Sequence, residues 1–244
     1  MIITYILLAV CIISMILLEL SPRLYFEKSS EVKNLAQPVS ELERAYKTRG
    51  TLQYAIMRIT TATLIATLGI VSAIQTKMGV LAFAIMAFVL FMTADDLIAV
   101  SHLKGMNKLL LKKLGFIAKV FSQIFFILSL STIIDNGEVT LATAILGFIV
   151  GAIVNKLINK RPFEMRACVT LANSLTFSNL GLAIIALLYS TSAFTLLALI
   201  GFSVVLCGVT LYIVNCKAEW CYYATSIAHS LGYILIALAY AYTF

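Results

Sequence analysis

The chain has 244 residues, of which 61% are hydrophobic and only 12% charged, with a mean hydropathy of +1.01. A soluble domain keeps about a quarter of its residues charged, so water cannot cover this surface and a soluble protein is excluded. The net charge of +7 would attract phosphate, but the basic residues sit in short connections beside apolar segments. That arrangement marks orientation in a bilayer, and no nucleic-acid partner is expected.

A membrane barrel would show segments of about 10 residues alternating apolar and polar. Here the apolar runs are continuous and close to the ~20 residues that an α-helix needs to cross hydrocarbon. They fall at about 2–20, 52–75, 78–101, 115–134, 139–157, 167–189, 193–214 and 219–242. The first run has no basic segment before it and no A-x-A-type cleavage site after it, so it reads as a retained span rather than a signal peptide. The loop 21–51 follows. Within it, Pro38 blocks helix, and Ser40-Glu41-Leu42-Glu43 fits a capping box from which a helix runs into the second span. The later connections are short. The odd-numbered connections carry fifteen Lys and Arg in all, whereas the even-numbered ones and both termini carry Lys77 alone. This split orients the odd connections toward the cytosol and both termini outward. The fold class expected is therefore all-α: one polytopic membrane bundle over residues 1–244, with about eight transmembrane helices. Loop 21–51 is cytosolic, and the pattern suits a bacterial inner (plasma) membrane.

Five cysteines, Cys11, Cys168, Cys207, Cys216 and Cys221, form no C-x-x-C pair and lack a His at metal spacing. Buried free thiols are expected, with no disulfide and no metal. No nucleotide-binding or zinc-protease motif occurs, and the last span has no lysine for a Schiff base, so no cofactor is expected.

Polar groups in hydrocarbon cost at least a few kcal/mol and normally face the bundle interior. Measured from the basic ends of the spans, Arg58, Asp95, Asp96, Lys119 and Asn173 lie four to six residues in. Lys119 and Gln123 share a helix face, as do Tyr222, Ser226, His229 and Tyr233. One layer thus gathers the ionisable groups. Each has a plainer role: Lys119 could snorkel, Asn173 could bond a neighbouring helix, Arg58 could be a counter-ion, and His229 could be a satisfied interior histidine. The Asp95-Asp96 pair is harder to dismiss. Two carboxylates at that depth repel and lose hydration, so the pair is expected to keep a proton, as a general acid or a proton-coupled transporter requires.

The stretch Thr93-Ala94-Asp95-Asp96-Leu97-Ile98, followed by Leu114-Gly115-Phe116-Ile117-Ala118-Lys119 through Phe126, resembles part of the YhhN family, which includes the lysoplasmalogenases. Arg58-Ile59-Thr60-Thr61, Gly201-Phe202-Ser203-Val204-Val205-Leu206, Tyr222-Tyr223 and Gly232-Tyr233-Ile234-Leu235-Ile236 extend the likeness over about residues 52–240. The chain departs from the family's pattern at Ala94 (Gly in the family), Gln123 (His), Phe126 (Tyr) and near Val209 (Asp). The resemblance implies a membrane hydrolase that cleaves the vinyl ether of a lysophospholipid, its partner being a single-chain membrane lipid. Protonation of the β-carbon by Asp95 would leave an oxocarbenium ion, with Asp96 stabilising it or orienting water. Arg58 or Lys119 would hold the lipid phosphate, and Gln123, Asn173, Tyr222, His229 and Tyr233 would line the substrate layer. Loss of the family's His and second Asp leaves a degenerate relative as one outcome. Two other classes remain open: a non-enzymatic protein that binds lipid or a partner subunit, and a proton- or cation-coupled transporter using the Asp95-Asp96 pair.

Overall fold

The structure is a computed structural model that describes residues 2–29, 52–74, 78–103, 106–134, 136–159, 163–214 and 219–242. The expected capping box at Ser40–Glu43 lies outside these residues, as does the side chain of Tyr222. Eight helices account for nearly all of the described chain: α1 (Ile2–Ser29), α2 (Leu52–Ala73), α3 (Met78–Val100), α4 (Lys108–Ser131), α5 (Gly137–Ile158), α6 (Phe163–Tyr189), α7 (Ala193–Val214) and α8 (Glu219–Ala239). A 3-10 turn, Tyr240–Tyr242, closes the last of them. Each of the eight is long and apolar enough to cross a membrane, as a helix that satisfies its own backbone can. Lipid-facing hydroxyls follow the same rule: Thr60, Thr63 and Thr67 each donate to the carbonyl four residues back.

Polar side chains set several helix starts. Asn107 accepts from the Leu110 amide at 3.2 Å, and Asn136 from the Val139 amide at 3.1 Å, both in the manner of N-caps. Ser192 and Thr195 cap α7 reciprocally, each side-chain oxygen accepting from the other's amide. The cap at Asn107 starts α4 seven residues before the run expected from hydropathy. Lys108, Lys112 and Lys113, expected in the connection, therefore form its first two turns.

Six helices close a ring. α2 packs on α3, α3 on α4, α4 on α6, α6 on α7, α7 on α8, and α8 returns to α2. α1 lies outside against α2 and α8, and α5 lies outside against α6. Rings fill the centre. Phe91 stacks on Tyr233 with centroids 4.0 Å apart, and Phe126 meets both Phe88 and Phe202 edge-on. Tyr240 continues this column toward Phe194.

Small residues allow the closest crossings. A Cβ at Gly201 would lie 2.9 Å from the Gly232 carbonyl, and one at Gly232 would lie 2.9 Å from the Gly201 carbonyl. Gly147 and Gly151 on α5 likewise admit the α6 backbone at Ser178 and Ser174. Cys11, Cys168 and Cys207 are free thiols. Cys221 is disulfide-bonded, to a cysteine outside the described residues, which corrects the expectation of free thiols throughout. A search for C-x-x-C spacing misses it: in sequence, Cys221 follows Cys216 by five residues across the connection between α7 and α8.

Candidate functional site

Four helices bring ionisable groups together in the half of the bundle nearer the basic connections. Gly115 lets α4 approach α3 beside the site, since a Cβ there would lie 3.0 Å from the Ala94 carbonyl. The next residue, Asp95, points inward and is 7% exposed. Its Oδ2 lies 3.6 Å from the Arg58 guanidinium of α2, and its Oδ1 lies 3.2 Å from His229 Nε2 of α8. On the other side of the imidazole, Nδ1 lies 3.5 Å from the Lys119 ammonium of α4. A line of charge thus runs Arg58–Asp95–His229–Lys119 through the bundle. In so dry a place, each member depends on its neighbours to offset lost hydration.

One helical turn further in, Gln123 donates to the Tyr233 hydroxyl at 2.7 Å. Gln123 Oε1 in turn accepts from Asn179 of α6 at 2.8 Å. The aromatic column begins at this level, because Phe91 packs against both His229 and Tyr233. Further along the column, Ser122 donates to the Ala87 carbonyl and Tyr240 donates to Ser129, both at 2.8 Å.

A small recess opens on the charged line. Arg58, Asp95, Ser226, His229 and Ser230 line it, and Leu18 of α1 forms part of its wall. There is room for about one water molecule.

Of the residues singled out in the sequence, Arg58, Asp95, Lys119 and His229 meet directly, with Gln123 and Tyr233 next to them. Asp96 faces elsewhere. It is half-buried and does not line the recess, and its Oδ1 has no hydrogen-bond partner among the described residues. The reason is geometric, since adjacent helical residues project about 100° apart. Lys119 does not snorkel. The early start of α4 places it three turns inside the helix, and it is 8% exposed. Asn173 donates to Asn155 of α5 at 2.9 Å, and neither lines the recess. Sequence reasoning passed over Asn155, Ser230 and Glu19. Asn155 had a signal, as an amide within the fifth apolar run. Ser230 sits beside His229 on the polar face of the last helix. Glu19, half-buried next to Leu18, was hidden by its place at the end of the first run.

No protein-family model matches the chain, nor does any curated protein or solved structure.

Proposed function

We propose that the chain is an integral membrane hydrolase of the lysoplasmalogenase type, a divergent member of the YhhN family. In this reading it cleaves the vinyl ether of a single-chain phospholipid, and its basic connections face the cytosol of a bacterial inner membrane. The observation that carries the reading is the Asp95 carboxyl, set in a polar recess between Arg58 and His229.

The geometry suits the chemistry. Protonated Asp95 donates to the β-carbon of the vinyl ether, and the carboxylate left behind faces the oxocarbenium ion it has created. A second carboxylate is then unnecessary, which fits the absence of Asp96 from the lining of the recess. The recess admits a water molecule to attack the cation, and the hemiacetal collapses to aldehyde and glycerophospho-headgroup. His229 reaches the layer from the last helix and meets Asp95 there, while Gln123, which stands where the family has His, supports Tyr233.

The test is aldehyde release from a lysoplasmalogen by the purified protein in lipid nanodiscs. General acid catalysis contributes about 10²–10⁴ in rate, so Asp95→Asn should lose at least two orders of magnitude. No aldehyde from the wild type, or equal rates in the variant, removes the proposal.

The small size of the recess favours a second reading, a non-enzymatic protein binding lipid or a partner subunit, in which the charged line serves packing alone. Turnover by the wild type excludes it. A transporter built on Asp95 and Asp96 would need a polar path through the other half, where the aromatic column stands.

A further inference from the structure

His229 touches charged groups through both of its ring nitrogens, and the donor inventory limits what each nitrogen can be. A carboxylate only accepts and an ammonium only donates. With Asp95 ionised, Nε2 at 3.2 Å from Oδ1 must carry the hydrogen. With Lys119 charged, Nδ1 at 3.5 Å from Nζ must be bare. The ring is therefore neutral and held as one tautomer. An imidazolium would set two donors against each other at Nδ1.

The same contacts permit a second arrangement that differs by a concerted shift. The Nζ–H bond of Lys119 breaks as Nδ1–H forms, and the Nε2–H bond breaks as Oδ1–H forms on Asp95. Lys119 becomes a neutral amine and Asp95 a neutral acid, while His229 remains uncharged with its tautomer reversed. No proton enters or leaves the cluster. In a low-dielectric interior the exchange replaces two separated charges by none, and the Arg58 guanidinium, which has no acceptor, takes no part in it.

We infer that Lys119, His229 and Asp95 form a proton relay in which Lys119 stores the proton that makes Asp95 an acid. Lys119 is thus a positioning and proton-supplying residue acting through the ring, not a ligand for lipid phosphate. The use of that acid on a vinyl ether rests on the proposed function above. The relay itself does not. Its groups face one another in the absence of substrate, and beside the aromatic neighbours of the ring, Phe91 and Tyr233, the charged groups that act on His229 among the described residues are Lys119, Asp95 and Arg58.

The chain has two histidines, so ¹⁵N-histidine labelling of a His102→Gln protein in nanodiscs reads His229 alone. The expected wild-type spectrum is a neutral ring with hydrogen on Nε2. In Lys119→Met, Nδ1 loses its blocking donor, and the ring should take a second proton at a mildly acidic pH where the wild-type ring stays neutral. Lys119→Arg should restore the wild-type spectrum. Should Lys119→Met fail to fold, Lys119→Gln removes the charge while keeping a hydrogen-bonding side chain, and the same change is expected. A doubly protonated wild-type ring, or one indifferent to Lys119, overturns the relay. Because no substrate is present, this result is independent of aldehyde release: an inactive wild type with the expected spectra removes the hydrolase and keeps the relay.

Discussion

Gln123 and Tyr233 meet one helical turn beyond Lys119 and His229, and both pairs are separated by 110 residues. A constant offset through successive turns requires α4 and α8 to run in the same direction. Eight spans that alternate place every even-numbered helix in one direction, so the two contacts agree with the alternation expected from the apolar runs. They also make a two-rung ladder across the ring. The charged rung lies nearer the basic connections and the neutral rung beneath it abuts the aromatic column.

The neutral rung should be a measurable unit. Gln123→Leu takes the amide donor from the Tyr233 hydroxyl, which costs about 1–3 kcal/mol, while the Asn179 amide keeps the backbone carbonyls of residues 123 and 175. Tyr233→Phe strands the Gln123 amide and should cost a similar amount. In a double-mutant cycle followed by thermal unfolding in detergent, the double variant should lose less than the sum of the single ones. Additive losses would mean the two side chains do not interact.

The charged rung should respond asymmetrically. Arg58→Met removes a buried counter-ion and leaves the Asp95 carboxyl to His229 and, through the ring, Lys119, a change of about 3–5 kcal/mol when a pair is fully buried. Arg58 keeps partial exposure, its side chain being 17% accessible, so the loss should fall toward the low end. Removing the charges together in Arg58→Met/Asp95→Leu/Lys119→Met, so that no buried ammonium is left without its carboxylate, should recover much of the stability while abolishing any Asp95-dependent chemistry. A triple variant as unstable as Arg58→Met would show that the buried charges are not the source of the cost.

The crossing of α7 and α8 should tolerate no added bulk. Gly201→Val or Gly232→Val drives a side chain into the facing backbone, and overpacking of this kind costs about 1–3 kcal/mol or more. Gly79→Ala, where nothing lies within 4 Å, should unfold at the wild-type temperature. Equal melting of all three variants would disprove the close approach.

The distribution of Lys and Arg makes a testable prediction of sidedness. A reporter active only outside the cytosol should be silent when inserted at residues 104–105 or 160–162, and active at residue 135 or 191. The reverse pattern would invert the topology and place the recess on the outer side.

How far the sequence prefigures this depends on the kind of information required. Span number follows from hydrophobic length alone, and the eight helices match the eight apolar runs. Depth is also legible. Arg58 and Asp95 are equally far from the basic ends of their runs, and the structure sets them 3.6 Å apart. The four-residue step from His229 to Tyr233 likewise puts both on one face. Azimuth between helices is not legible. Nothing in Asp95-Asp96 says which carboxyl turns inward, because that depends on how α3 rotates against α2 and α4. The burial of Lys119 depends on a cap at Asn107 that hydropathy does not register, since the following turns are rich in lysine. The Asn155–Asn173 contact joins two helices whose adjacency is a property of the packed ring, and a single chain carries no local trace of it.

The column of rings from Phe91 to Tyr240 also governs where a membrane potential would be felt. Voltage drops across the least polarisable part of a bilayer protein, which here is the aromatic half. An elementary charge carried through all of it would exchange about 2.3 kcal/mol per 100 mV. A proton passing between Lys119 and Asp95 stays on the near side of that barrier and moves almost across the field. Under the proposed function, acid chemistry at Asp95 would therefore be insulated from the energised state of the membrane, with the same rate expected in charged and discharged vesicles.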